Sequence, residues 1–168
     1  PSVTITSPLN STYNINIGAL NYTASDTNIQ TCWYSLNSGT TNTTITCGDN
    51  ASVLMSNEGS NSWKIWANDT SGNINSSSVT FFKDSINPVF TSIPSDLIIT
   101  YGNSFGVDFD ASDSNFDSYR INWTYLFTIN QSGFLRNATT IASGAYKINV
   151  SVNDSLNNLN YTIFTLTV

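Results

Sequence analysis

The chain has 168 residues with a net charge of −6, and 39% of its residues are hydrophobic while only 10% are charged. A hydrophobic content this high excludes an intrinsically disordered chain, and five scattered basic residues exclude the continuous basic surface that nucleic acids and anionic membranes require. No apolar run approaches the ~20 residues of a membrane-spanning helix, so we expect no membrane insertion in this segment.

The residue types favour strands along the whole chain. Asn, Ser and Thr supply 24, 25 and 22 residues, whereas Glu58 is the single glutamate. Thr, Val, Ile and aromatic residues favour strands, and the residues that fill helices are scarce. The sequence therefore predicts an all-β protein.

In chain order, short segments bounded by turn residues predict seven strands in each half. In the first half they lie at 2–7, 18–24, 30–36, 43–47, 51–56, 61–68 and 77–83. In the second half they lie at 88–92, 96–100, 104–111, 117–124, 126–129, 145–153 and 160–168. Alternation is clearest in the sixth strand of each half, where Trp63 and Ile65, and later Ile148 and Val150, point inward.

Two cysteines lie in the predicted hairpin of the first half. The segment CWYSLNSGTTNTTITC is symmetric about residues 38–40, which places Cys32 and Cys47 opposite each other on two strands joined by a turn. A disulfide is the preferred interpretation and a pair of free thiols is the alternative. A disulfide would indicate an oxidising, extracellular compartment.

The two halves repeat each other. The segment ASDTNI at 24–29 returns as ASDSNF at 111–116, and NDT at 68–70 returns as NDS at 153–155. Matching segments are separated by 85 to 87 residues from end to end. The sequence therefore predicts a duplication with modules at 1–85 and 86–168 and a short linker containing Pro88. Seven short strands per module favour two tandem immunoglobulin-like antiparallel β-sandwiches, of which only the first carries a disulfide.

Two tryptophans are predicted to point outward on neighbouring strands of the first module. If Cys32 and Ile65 face inward, Trp33 and Trp66 face out and form an aromatic patch, whereas the second module has Arg120 and Ser151 at the equivalent positions. Such a patch suits a binding interface or sugar stacking. The alternative is that a long side chain or a glycan covers it.

The glycosylation pattern Asn-x-Ser/Thr occurs repeatedly, although composition alone accounts for about seven matches. We expect several of these sites to be modified in a host with the machinery. The candidate asparagines are Asn10, Asn21, Asn42, Asn50, Asn68, Asn75, Asn122, Asn130, Asn137, Asn149, Asn153 and Asn160.

Several segments resemble a known kind of repeat. SPLNSTY, CWYSLNSG, EGSNSWKIWANDTSGN and SSVTFFKDSINPVF are similar to the immunoglobulin-like and cadherin-like repeats of prokaryotic, especially archaeal, cell-surface and extracellular filament proteins. The segment FTINQSGFLRNATTIASGAYKINVSVND at 127–154 most resembles a cadherin repeat. The resemblance implies display at the cell surface, adhesion, stalks or filaments.

The cadherin resemblance also raises calcium binding at the junction between modules. Asp108, Asp110, Asp113 and Asp117 are close in sequence, and Asp84 lies in the linker with Asn87. Oxygen ligands suit Ca²⁺. However, Thr140-Ile141-Ala142-Ser143 replaces the acidic motif of the family, and the linker is reduced to Asp84-Ser85-Ile86-Asn87. We therefore expect no cofactor and keep junctional calcium as the minor alternative.

The sequence predicts no enzyme. It contains no histidine, and Glu58 stands before Gly59 in a turn whose counterpart lacks an acid. The preferred hypothesis is an extracellular structural subunit of a filament, pilus, stalk or surface layer that assembles head to tail with itself or with other surface proteins. Terminal strands at 1–7 or 160–168 are candidates for donation to a neighbour. The alternatives are an adhesin or glycan-binding accessory module using Trp33 and Trp66, and a plain spacer.

Overall fold

The structure, a computed structural model, describes all 168 residues and contains only strands, turns and loops. The prediction of an all-β protein is confirmed. The chain divides into two compact units, Pro1–Ser85 and Ile86–Val168. Each unit has a hydrophobic core of its own.

Unit 1 is built from eight strands in two sheets. A three-stranded sheet has the order β1-β3-β6, and a five-stranded sheet has the order β2-β8-β7-β4-β5. The strands are β1 (Ser2–Ser7), β2 (Thr12–Tyr13), β3 (Ala19–Ser25), β4 (Ile29–Ser35), β5 (Thr43–Ile45), β6 (Ala51–Ser52), β7 (Gly59–Asp69) and β8 (Ile74–Lys83).

The core of unit 1 lies between these sheets. Every second residue of β7 is buried, from Asn61 to Asp69, because successive side chains of a strand point to opposite faces. Trp63 and Phe81 meet edge to face at 4.9 Å between ring centroids, which fills the middle of the core. Leu20 and Tyr22 of β3 close it from the opposite sheet.

Unit 2 is built from nine strands. A four-stranded sheet has the order β10-β17-β16-β13, and two smaller sheets have the orders β11-β15-β14 and β12-β9. Only Phe109 separates β11 from β12, so one chain segment links the smaller sheets. The strands are β9 (Val89–Ser92), β10 (Leu97–Ile98), β11 (Gly106–Asp108), β12 (Asp110–Ser112), β13 (Phe116–Ile121), β14 (Phe127–Ile129), β15 (Phe134–Asn137), β16 (Ala145–Asp154) and β17 (Leu159–Thr167).

The strand prediction differs from the structure in several places: the expected strand at 104–111 is divided into β11 and β12 of different sheets, and the expected strand at 51–56 ends at Ser52. β2 and β15 were not predicted, and the expected strand at 117–124 ends at Ile121. The two-residue β2 depends on its parallel pairing with β8, and β15 depends on pairing with both β11 and β14, so tertiary contacts create them. The early end of β13 coincides with the positive φ of 56° at Trp123, which turns the chain.

The last hairpin of each unit, β7–β8 in unit 1 and β16–β17 in unit 2, closes with one type of turn. Gly72 has a φ of 84°, and Asn157 has a φ of 66° at the equivalent position of unit 2, so asparagine adopts there the left-handed conformation that glycine has in unit 1. Asparagine is among the few other residues that tolerate this left-handed backbone. In the second turn the Asp154 carboxylate accepts hydrogen bonds from the backbone N–H groups of Leu156 and Asn158.

Asparagine side chains hold many of the loops. Asn16 Nδ2 donates to Leu54 O at 3.1 Å and its Oδ1 accepts from Ser56 N at 2.9 Å. The buried Asn61 bridges Asn57 in the same way. No buried side-chain polar atom lacks a hydrogen-bond partner. Neutral amides therefore supply polar contacts in the loops beside the aspartate carboxylates of the turns, while ion pairs number only two.

Candidate functional site

The disulfide fixes the edge of the five-stranded sheet in unit 1. Cys32 of β4 is fully buried and bonded to Cys47, which lies two residues beyond the end of β5, with 5.2 Å between the Cα atoms. The predicted disulfide is confirmed, and no free cysteine remains. The bond ties β5 to β4, where it pairs antiparallel through Cys32 and Ile45.

Trp33 and Trp66 are register partners on β4 and β7 and lie parallel to each other. Their ring centroids are 6.1 Å apart and their planes differ by 8°. Both are half-buried rather than freely exposed. Lys64 Nζ lies 4.8 Å from the Trp66 ring centroid, and a methyl group at Gly39 would stand 3.4 Å from the same indole. Trp66 therefore contacts a lysine, a loop and Trp33, and the expected exposed patch is a half-buried stack of the two indoles.

Unit 2 has a different surface at the equivalent place. Arg120 and Ser151 are register partners on β13 and β16. Arg120 is exposed and makes no ion pair, because the two ion pairs of the chain are Pro1 with Asp26 and Lys83 with Glu58. An unpaired cation therefore occupies the outer face of β13.

β13 is an edge strand, whereas its counterpart β4 is not. β14 stands 84 residues after β5 and so occupies the equivalent place in the repeat, but it pairs with β15 of the other sheet. The single disulfide of the chain lies in unit 1, so no such bond ties β14 to β13. The edge of β13 that faces away from β16, which we call the β13 edge, is therefore unpaired.

A groove of about 440 Å³ runs beside the β13 edge. Tyr119 and Ile121 of β13 form one wall, and Phe127 and Ile129 of β14 form the other. Exposed apolar clefts next to unpaired strands favour pairing with another chain. The sequence analysis missed this site, and the only signal for it was the absence of cysteines from the second module.

The terminal strands are paired within their own units. β1 pairs antiparallel with β3 from Ser2 to Ser7, and β17 lies between β16 and β10. Neither strand is free for donation in this structure. Their backbone polar groups are satisfied by neighbours inside the unit.

The candidate glycosylation sites differ in accessibility. Asn153 is 5% exposed, and its Nδ2 donates to Asp117 and to the backbone of Asp154, so burial stands against a glycan there. Asn21, Asn68, Asn137 and Asn160 are half-buried. The exposed candidates are Asn10, Asn42, Asn50, Asn75, Asn122, Asn130 and Asn149.

Glu58 and Asp113 accept local hydrogen bonds. Glu58 accepts from Lys83 at 2.8 Å and from both the N–H and the hydroxyl of Ser85, and these contacts lower its pKa to about 2. Asp113 accepts from Asn115 N at 2.7 Å in a turn, and Asp108 and Asp110 are exposed on β11 and β12. These contacts give Glu58 and Asp113 structural roles.

Comparison with known proteins supports the fold. The chain is similar to Sidekick-1 immunoglobulin domains 1–5 (TM-score 0.61, 14% identity, 99% of this chain and 38% of that one) and to a variant of titin domains I67–I69 (0.59, 12%, 99% and 65%). A looser match is to fibronectin(III)-like modules of CbhA from Clostridium thermocellum (0.45, 15%, 99% and 94%). The prediction of tandem immunoglobulin-like β-sandwiches is confirmed. At these identities the likeness shows the fold alone.

Neither a protein-family model nor a curated protein sequence matches the chain. The structure contains no helix able to cross a membrane. The chain spans 38% and 65% of the Sidekick-1 and titin structures to which it is similar.

Proposed function

We propose that this protein is a structural subunit of an extracellular filament, pilus, stalk or surface layer, which polymerises through its immunoglobulin-like domains. The observation that carries the proposal is the unpaired β13 edge beside an apolar groove. Exposed strand edges are usually shortened, charged or covered in proteins that stay monomeric. Here β13 has six residues and no covering strand on that side, and its charged residues are Asp117 and Arg120.

Location outside the cell is part of the same proposal. The Cys32–Cys47 disulfide suits an oxidising compartment, and seven candidate glycosylation sites are exposed. Labelling of intact source cells with a membrane-impermeant reagent tests this: a labelled chain supports surface display, and a chain labelled only after lysis contradicts it.

Electron microscopy and sedimentation velocity of the purified chain test the assembly. Ordered polymers that grow with protein concentration are expected. Monodisperse monomers at every concentration would contradict the proposal and favour a spacer. That the protein needs no cofactor stays a prediction, and a calcium chelator tests it. Unchanged polymers and an unchanged melting temperature would agree with this prediction. A lowered melting temperature would indicate bound calcium.

The second candidate is an adhesin or a glycan-binding accessory module of a larger secreted protein. It rests on Trp33, whose half-buried indole stacks on Trp66 at the sheet surface. Retention on an immobilised glycan array tests it. Trp33→Ala should abolish retention, and Trp123→Ala in unit 2 is the matched control that should not.

A further inference from the structure

We propose that β5 of one copy pairs in parallel with the β13 edge of a second copy, with Thr44 opposite Arg120. This inference rests on the proposed function, because it names the contact through which copies would assemble. It joins the five-stranded sheet of one copy to the four-stranded sheet of the next.

The direction of the backbone groups on β13 follows from its ladder. Asn122 N donates to Asn149 O, and Arg120 is opposite Ser151, so these two residues direct their backbone groups toward β16. Alternate residues of an antiparallel strand face opposite neighbours. Tyr119 and Ile121 therefore direct their N–H and C=O groups out of the sheet at the β13 edge.

The directions of the backbone groups on β7 and β4 are fixed in the same way. Asp69 N donates to Asn73 O, so the odd-numbered residues of β7 bond to β8 and Trp66 bonds to β4. Trp33 is the register partner of Trp66, so its backbone N–H and C=O groups point toward β7. The backbone groups of the next residue, Cys32, therefore point toward β5.

The directions of the backbone groups on β5 follow from those on β4. Ile45 and Thr43 are the register partners of Cys32 and Tyr34, so their backbone groups point toward β4. Thr44 lies between them and directs its N–H and C=O outward. β5 is the last strand of its sheet, and neither lysine nor proline protects it.

The two edges match only in a parallel arrangement. In a parallel ladder one residue bonds to the two residues that flank its register partner, and register partners share a face. Thr44 and Arg120 both lie on the outer face of their sheets. Thr44 opposite Arg120 would therefore bond to the outward groups of Tyr119 and Ile121. An antiparallel arrangement would place Thr44 against residues whose side chains point inward.

This register also gives Arg120 a partner. Thr44 is opposite Trp33 across β4 and β5, so the order along the row would be Trp66, Trp33, Thr44 and Arg120. Strands are about 4.8 Å apart, so the small Thr44 leaves the guanidinium within reach of Trp33. Lys64 already occupies the Trp66 end of the stack. Arg120 of the second copy would complete it from the other end by a cation–π contact.

The contact joins different surfaces of the two copies. β5 belongs to unit 1 and β13 to unit 2, so each copy offers one edge of each kind. Contacts between unlike surfaces extend without limit unless rotation closes a ring. The pairing would therefore propagate from copy to copy and produce a polymer.

Two single-cysteine variants test the register. The native cysteines are bonded to each other, so Thr44→Cys and Arg120→Cys each introduce one thiol. An oxidised 1:1 mixture of the two variants should give a covalent dimer that neither variant gives alone. A mixture of Thr44→Cys with Arg136→Cys is the matched control, because Arg136 is exposed on β15 of the other sheet. No dimer in the first mixture, or equal dimer in both, would overturn the register.

The critical concentration for polymerisation tests the energetics. Arg120→Ala should raise it by about 2- to 30-fold, the range of a cation–π contact, and Arg136→Ala should leave it unchanged. The melting temperature of Arg120→Ala should stay near that of the native chain, since Arg120 makes no ion pair. Polymers that form normally in Arg120→Ala would refute this contact alone. A native chain that never polymerises would refute both this contact and the proposed function.

Discussion

Removal of the disulfide should lower the melting temperature of unit 1 and leave that of unit 2 unchanged. Cys32 and Cys47 are 15 residues apart, and a closed loop of that size restricts the unfolded chain by about 3 kcal/mol. The double variant Cys32→Ala/Cys47→Ala also removes a sulfur from the core, where Cys32 is fully buried, which adds about 1 kcal/mol. For a unit of this size each kcal/mol lowers the melting temperature by about 4–8 °C, so the combined loss of about 4 kcal/mol should lower it by at least about 16 °C.

Differential scanning calorimetry and tryptophan fluorescence measure this loss. Three of the four tryptophans lie in unit 1, so fluorescence reports mainly on that unit, while Trp123 alone reports on unit 2. Unit 2 contains no cysteine and serves as an internal control. The expected result is a lower transition for unit 1 and an unchanged one for unit 2. Equal shifts in both units, or no shift in unit 1, would refute the assignment of the disulfide as a local clamp on β5.

Three further changes have definite outcomes. The pKa of Glu58 is lowered to about 2, so its contacts stabilise unit 1 fully above the ordinary pKa of about 4.5, and this stabilisation is lost as pH falls from there toward 2. Glu58→Gln should make the urea midpoint of unfolding less dependent on pH over that range. An unchanged pH dependence would contradict the link to Lys83. Gly72→Ala should cost about 1 kcal/mol in chemical denaturation, because its φ of 84° is strained for alanine although no atom crowds the position, while Asn157→Gly should cost little; equal costs would refute the backbone origin. In a glycosylating host, peptide mass spectrometry should find Asn149 modified and Asn153 unmodified, and a glycan on Asn153 would mean that the β16 end opens.

The architecture was predictable because it depends on local patterns. Alternation along β7 and β16 defined the inward faces, and the turns at Gly72 and Asn157 marked equivalent hairpins. Cysteine spacing predicted the disulfide. These signals act over a few residues and need no knowledge of the opposite sheet.

The candidate site was not predictable in the same way. β14 joins the sheet of β15 rather than that of β13, and this choice depends on competition between partners far apart in sequence. The covering of Trp66 was also hidden, because the loop after β4 folds back so that Ser38 N donates to Ser62 O on β7. Asn153 is buried where the pairing of β13 with β16 shifts between Phe116 and Ser118, and a sequence motif carries no information about such a shift.

The asparagine side chains that hold the loops set how the molecule responds to its surroundings. Asn16 and Asn61 bond to the backbone through neutral amides, and only two ion pairs are present in the whole chain. Dissolved salt screens exposed charges over a Debye length of about 10 Å at 0.1 M and about 3 Å at 1 M, but it has little effect on amide hydrogen bonds. The amide hydrogen bonds of the loops should therefore persist as salt is added, and the Pro1–Asp26 and Glu58–Lys83 pairs are the contacts that ions screen.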